Sequence, residues 1–291
     1  MIELNKIYHC DNLYLMPKLP DESINVILTD PPYLYLKNQK LDRPFDEQMF
    51  FSECKRVLKK DGFIVLFGRG TSFYRWNTIL DDLKFKFKEE IVWDKGYCTS
   101  PLMNISRVHE TVSIHTKFNG TINKVKVPYL EMKGYDIDGI VTDIKRLKTT
   151  FKNTKSLNDI LEFLENNKIE YCTPKYKYRV GQQGDYEEIV NRGISVMKAI
   201  RYGMNEKSII NESRCHYSSI HPTQKPVRLL ERLIALVSHE GGLVLDPFCG
   251  SGSTAEACIN QCRKYICCEI DKEYFNVAVN RINNVPKNLF A

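Results

Sequence analysis

Two short constellations in this 291-residue chain could do chemistry, and they lie at opposite ends of it. Asp246-Pro247-Phe248-Cys249-Gly250-Ser251-Gly252-Ser253 follows an apolar run and opens a stretch with helical periodicity. Two glycines at such a junction let backbone approach a ligand closely, and a helix N-terminus presents free N–H groups to it. Glu269 ends the next apolar run, where a carboxylate can accept two hydrogen bonds from a ribose. A dinucleotide cradle asks for a third glycine, and Ala255 stands at that position. A phosphate loop asks for Gly-Lys-Ser or Gly-Lys-Thr, and neither follows. A tight turn without ligand is the lesser alternative for these residues.

The other constellation is Asp30-Pro31-Pro32-Tyr33. An exocyclic amine on a nucleic-acid base is a poor nucleophile, because its lone pair is delocalised into the ring. A carboxylate at Asp30 and the carbonyl of Pro31 could each accept one N–H of such an amine. Accepting both favours the pyramidal form, with its lone pair aimed at a methyl sulfonium. The prolines keep that carbonyl out of a helix. Tyr33 offers an aromatic face on which a base drawn from a duplex can stack. Taken alone, the four residues read more simply as a strand-ending turn with Tyr33 filling the core.

Both constellations need strand ends to hold them, and the hydrophobic pattern supplies these. Ile24 to Thr29 is a short apolar run stopped by the prolines, and Gly62 to Gly68 is a second. Between them Phe50, Phe51, Cys54, Val57 and Leu58 repeat near the helical period from Glu47 to Leu58. Strand, helix, strand in that order predicts a parallel sheet with right-handed crossovers. The C-terminal part repeats the scheme: a helix from Leu229 to Val237, a strand from Gly242 to Leu245, a helix from Thr254 to Asn260, a strand from Tyr265 to Ile270 and a last helix from Tyr274 to Ile282. In an open sheet of this kind ligands bind beyond the carboxyl ends of the strands, so the two turns are expected to face one crevice.

Composition narrows the class. Apolar residues make up 43% and charged residues 27%, a globular balance. No stretch approaches the roughly 20 apolar residues of a membrane span, and the N-terminus lacks an export pattern, so a cytoplasmic protein away from membranes is expected. The ten cysteines are scattered without a CxxC pair; reduced thiols are expected, and no metal site. Net charge is +6, and residues 117–214 hold 18 Lys and Arg against 13 Asp and Glu. That excess suits approach to a phosphate backbone, and equally suits a solvated basic surface.

Asp30-Pro31-Pro32-Tyr33, His221-Pro222-Thr223-Gln224-Lys225-Pro226 and Asp246 to Ser253 with Glu269, in that order, resemble the β-arrangement DNA amino-methyltransferases. The resemblance implies an α/β fold: the seven-stranded, Rossmann-like sheet of S-adenosylmethionine-dependent methyltransferases, in circularly permuted order. Residues 1–115 would form the catalytic half, 218–291 the cofactor-binding half, and 116–217 an inserted target-recognition module. It implies that Asp30, Pro31, Pro32 and Tyr33 hold the target amine. Asp246, Phe248, Gly250, Ser251 and Gly252 would line the cofactor's methionine and ribose, and Glu269 would take the ribose hydroxyls. Asp11, after the first strand, would lie near the adenine, and Lys225 would close over the cofactor's amino-acid end. His109-Glu110 and Trp93-Asp94-Lys95 also look like family features, expected to be structural.

The implied activity is site-specific methylation of double-stranded DNA by direct attack of a flipped-out base, with adenine N6 as target. Cytosine N4 is the alternative, although serine more often stands at the Asp30 position in the cytosine enzymes. Methylation at cytosine C5 is disfavoured, since no proline here precedes a cysteine. A non-catalytic DNA-binding protein on the same scaffold is a further alternative, against which the intact motifs speak. A cognate restriction endonuclease is admitted as a partner, as are monomer and homodimer. In the middle module Ser156 to Leu164 reads as a capped helix. Lys175, Lys177, Arg179, Gln182 and Gln183, interleaved with tyrosines, are candidates for touching DNA, an alternating surface strand being the competing reading.

Overall fold

The buried strands form where apolar residues run unbroken, and helices flank them where apolar residues recur at a period near 3.6. The structure, a computed structural model, describes residues 2–33, 42–96, 104–134, 136–151, 195–196, 198–213 and 224–285. Two compact units result: Met1–Val125 with Lys207–Ala291, and Lys126–Glu206 between them in sequence.

In the first unit eight strands form one sheet: β1 (Lys6–His9), β2 (Ile24–Thr29), β3 (Leu58–Gly68), β4 (Lys86–Asp94), β5 (His109–Thr116), β8 (Ile209–Asn211), β9 (Leu243–Asp246) and β10 (Lys264–Glu269). Their order is β1-β10-β9-β2-β3-β5-β4-β8. Every neighbouring pair is parallel except those that β5 makes with β3 and β4. The expected sheet had seven strands; the eighth is the short edge strand β8, paired with the end of β4 through Val92–Ile209 and Asp94–Asn211.

Alternation along the central strands assigns their side chains to two faces. Val26, Val65, Val244 and Cys267 point to a core shared with α6 (Val227–Val237), α7 (Ser253–Asn260) and α8 (Lys272–Asn284). Ile27, Ile64, Leu245 and Ile266 point the other way, to α2 (Glu47–Val57) and α3 (Gly70–Asp82). A short α1 (Asn12–Leu15) and a 3₁₀ turn at Met16–Lys18 cover the end of that face. Both sides of the parallel region are therefore dry, which is why its strands read as continuous apolar runs.

Local chemistry sets the boundaries. Asp46 caps α2 by accepting the Met49 N–H at 2.9 Å. α2 ends at Val57 and β3 starts at once, earlier than Gly62 suggests. Leu58 pairs with Ile24, but Phe63 pairs with Val26, so residues 59–62 bulge out and carry Lys59, Lys60 and Asp61 to the surface side. β4 and β5 are poorly announced by periodicity, because charged residues interrupt them: the first half of β4 is exposed, and β5 begins His109-Glu110.

The second unit contains β6 (Lys126–Val127) paired antiparallel with β7 (Met204–Asn205), α4 (Tyr129–Lys133) and α5 (Ile137–Phe151). Buried Asp143 of α5 accepts from Tyr129 Oη at 2.6 Å and pairs with Lys133 and Arg146, each at 2.9 Å. The boundaries differ from the expected 116–217, because Thr116 and Ile209–Asn211 belong to the large sheet. The change redistributes the charge: residues 126–206 hold 14 Lys and Arg against 12 Asp and Glu. Lys117, counted in the basic excess, is instead buried, donating to the Leu58 carbonyl at 2.8 Å. The expected helix at Ser156–Leu164 and the candidate DNA-reading residues Lys175, Lys177, Arg179, Gln182 and Gln183 lie outside the described residues.

Candidate active site

β2 and β9 are adjacent and parallel, with Ile27 opposite Leu245. Asp246 therefore sits at the carboxyl end of β9, and Asp30 just beyond the carboxyl end of β2, on the same edge of the sheet. One cavity of about 260 Å³ opens there, lined by Asp30, Pro31, Pro32 and Tyr33 from one turn and by Asp246, Phe248, Gly250 and Ser251 from the other. Asp11, Lys225 and Glu269 also line it. The two turns, more than 200 residues apart in sequence, thus meet at one site.

The turn after β9 is held by its own polar groups. Asp246 Oδ1 accepts the Phe248 N–H at 3.0 Å, and Oδ2 accepts from Thr254 Oγ1 at 2.5 Å. Burial pushes the Asp246 carboxyl up to about 7, against those two hydrogen bonds. Glu269 Oε2 accepts the Gly250 N–H at 2.9 Å, and its Oε1 the Asp271 N–H at 2.8 Å. Burial raises this carboxyl also. Gly250 has φ +50°, a left-handed conformation that lets its N–H turn toward Glu269. Phe248 packs edge-on against Phe45 and Phe50, with ring centroids 5.3 Å away in each case.

Gly252 is placed differently from the expectation, since it is not among the residues lining the cavity. It caps α7 at φ +79°, and a Cβ there would come within 2.9 Å of Ala278 Cβ on α8. It packs closely against α8 behind the turn whose neighbouring residues Gly250, Ser251 and Ser253 line the cavity. Asp11 is both on the cavity wall and the N-cap of α1, its Oδ1 accepting the Leu13 N–H at 2.8 Å. Beside it the buried Asn12 Oδ1, also at the cavity, makes no hydrogen bond among the described residues.

At the other turn, Asp30 Oδ1 accepts from the Tyr33 hydroxyl and Oδ2 from Lys225 Nζ. Burial pushes the Asp30 carboxyl above its ordinary value, against the pull of the Lys225 ammonium; Glu110 nearby adds to the rise. Tyr33 is anchored by its carbonyl, which accepts from Ser72 Oγ at 2.7 Å, and its ring lies 5.9 Å from that of Trp76. Lys225, expected over a ligand's amino-acid end, is ion-paired instead with Asp30 and with Glu110, the latter at 3.2 Å.

Glu110 and Lys95, expected to be structural, prove to be coupled to the site: Glu110 lines the cavity, and its Oε1 accepts from Lys95 Nζ at 2.5 Å. Although burial works the other way, the Lys225 and Lys95 ammoniums pull the Glu110 carboxyl down to about 2. The only available signal was the buried ends of β4 and β5, each carrying a charged residue, and neither strand is marked by its periodicity.

Among the described residues seven carboxylates line the cavity, from Asp11, Asp30, Asp42, Glu110, Asp246, Glu269 and Asp271, against the two cations Arg43 and Lys225. Such a surface suits a ligand with cationic centres and hydroxyl donors, and repels a polyphosphate.

A family model described as DNA methylase, of the N6/N4 methyltransferase group, matches residues 24–280. The DNA adenine methyltransferase YhdJ of Escherichia coli (strain K12) is 29% identical over 295 residues, covering 97% of this chain and 83% of that protein. Among solved structures, the M1.HpyAVI–SAM complex superposes with a TM-score of 0.57 at 21% identity, covering 96% of this chain and 98% of that one. The cytosine-N4-specific PvuII DNA methyltransferase gives the same TM-score at 17% identity, covering 97% of this chain and 88% of that one.

Proposed function

Because the chain belongs to the N6/N4 DNA methylase family, we propose that its acidic cavity binds S-adenosylmethionine and that the enzyme methylates adenine N6 in double-stranded DNA. One observation carries the reading: the Asp30 turn and the Asp246 turn open into a single cavity from neighbouring parallel strands. When bound, S-adenosylmethionine supplies an electrophilic methyl carbon at its sulfonium. The residues fit it by charge: Asp246 and its acidic neighbours suit the cationic centres, Glu269 and Asn12 Oδ1 can accept from hydroxyls or an amine, and Phe248 offers an apolar wall.

The chain's own contribution is orientation. Asp30 and the Pro31 carbonyl accept the two N–H groups of the target amine, which localises its lone pair. Tyr33 braces Asp30 through its hydroxyl and presents its ring to the base. The proline turn fixes both acceptors before the base arrives, so little reorganisation remains for the transfer step.

Adenine is preferred over cytosine because aspartate heads the four-residue turn, in line with the name of the E. coli relative. The unit at Lys126–Glu206 reads the DNA sequence on this view; its insertion within the catalytic chain supports that role better than its charge, which is nearly balanced. A restriction endonuclease with the same recognition sequence is one partner compatible with this function, in line with the type II names of two relatives.

The test is to express the chain in a host without endogenous adenine methylation and analyse its DNA by nucleoside mass spectrometry and single-molecule sequencing. N6-methyladenine in one sequence context is expected. N4-methylcytosine alone would overturn the choice of base, and unmodified DNA from folded protein that binds S-adenosylmethionine would overturn the function.

A further inference from the structure

Two buried charges have no task in the mechanism above, Lys95 and Glu110. They are the far half of a chain of alternating charges drawn from four separate segments. Lys95 follows β4, Glu110 is on β5, Lys225 precedes α6 and Asp30 follows β2. Lys95 Nζ donates to Glu110 Oε1 at 2.5 Å, Lys225 Nζ lies 3.2 Å from Glu110 Oε2, and Lys225 donates to Asp30 Oδ2. Lys95, Glu110 and Lys225 are each less than 10% exposed.

Two features of this chain are unusual. Glu110 Oε2 is enclosed and meets the Lys225 ammonium at 3.2 Å, an ion pair without a hydrogen bond of good geometry among the described residues. A closer approach of the ammonium would strengthen that contact. At the other end Asp30 has the opposite condition: both its oxygens are engaged, one by Tyr33 and one by Lys225, in the very positions a target amine requires. Lys225 cannot simply withdraw, since a buried ammonium without a counter-charge is prohibitive. It can pivot, because the Phe67 ring lies under its Nζ at 4.9 Å and Glu110 Oε2 is next to it.

Building on the function proposed above, we propose that Lys225 is a two-position cation, which leaves Asp30 for Glu110 Oε2 when the target amine arrives. Glu110 is then a positioning residue for methyl transfer, and Lys95 holds it in place. The swap never leaves the Lys225 ammonium without a counter-charge: the amine takes the vacated Asp30 oxygen, and Lys225 closes on Glu110 Oε2, already 3.2 Å away. The groups that face Asp30 are Lys225, Glu110, its own neighbour Tyr33, and Asp246 from β9.

The experiment measures methyl transfer from S-adenosylmethionine to unmethylated bacteriophage DNA across pH. Cofactor calorimetry and thermal unfolding are run on the same preparations. Glu110→Gln should lower kcat by about 10- to 100-fold, the worth of one charged hydrogen bond, with KM for DNA changed less than about threefold. Its acid limb should move to lower pH, because an anion near Asp30 has been removed. Adding Lys225→Met to Glu110→Gln should restore kcat by about fivefold or more at the plateau of its own pH profile, since nothing then occupies Asp30. A Glu110→Gln enzyme within about twofold of wild type, or a double variant no faster than the single, overturns the inference while leaving the function intact. Wild-type protein that transfers no methyl overturns the function, and this inference with it. Should Glu110→Gln not fold, Glu110→Asp keeps the charge but shortens the reach. Slow transfer rescued by Lys225→Met is again expected, and wild-type transfer again overturns.

Discussion

Gly252→Ala separates two explanations for a glycine in a ligand-binding turn. If the glycine were there to let a ligand approach, a methyl group would reduce cofactor affinity and leave folding alone. The structure predicts the reverse. The new Cβ would lie 2.9 Å from Ala278 Cβ and 3.1 Å from its Cα, contacts with a rigid partner that cannot turn aside. The residue also sits at φ +79°, where a Cβ costs about 1–2 kcal/mol. Overpacking a well-filled helix contact adds about 1–3 kcal/mol. Together these predict a loss of about 2–5 kcal/mol, which in a domain of this size lowers Tm by roughly 5–15 °C. Thermal and denaturant unfolding read that loss, and calorimetry below the transition reads the cofactor, whose affinity should fall less than about tenfold, or 1.4 kcal/mol. Ala278→Gly is the partner mutation: it costs about 1 kcal/mol by itself, but should show at least about 1 kcal/mol of favourable coupling with Gly252→Ala, because it removes the clash. Unchanged stability with lost cofactor binding would refute this reasoning and return Gly252 to the ligand.

Other consequences are as direct. Asp30→Ala should abolish transfer while cofactor affinity stays near wild type; an equal loss of both, measured by calorimetry and turnover, would mean that Asp30 shapes the cavity instead. In the wild-type enzyme the acid limb of kcat should lie above the ordinary carboxylate range, because burial raises Asp30. Asp246 titrates at about 7 in the folded chain against 3.8 ordinarily, so the stability linked to its protonated form is present below about 4 and lost as the pH rises through about 7. Asp246→Asn should flatten that dependence, worth at most about 4 kcal/mol, and denaturant unfolding from about pH 4 to 8 with an unchanged slope would contradict it. Affinity for duplex DNA should fall steeply with salt, and a deletion of residues 126–206 that still bound DNA like the full chain would remove that unit from the interface.

The sequence by itself determined the elements that repeat a strong period and the turns that close them. Ile24–Thr29 with its two prolines, and Gly242–Leu245 followed by Gly250 and Gly252, could be read as strand ends because unbroken apolar runs and chain-stopping residues are local properties. The rule that ligands lie at the carboxyl ends of parallel strands places the two turns together. What only the tertiary structure decided was contact between residues far apart in sequence. Nothing local to Glu110 says that Lys95 and Lys225 will enclose it. Nothing local places the Lys225 ammonium on Asp30, or Ala278 directly behind Gly252. A charge or a missing side chain has its meaning from whatever packs against it, and that is set by the crossing of strands and helices that the sequence specifies only as a whole.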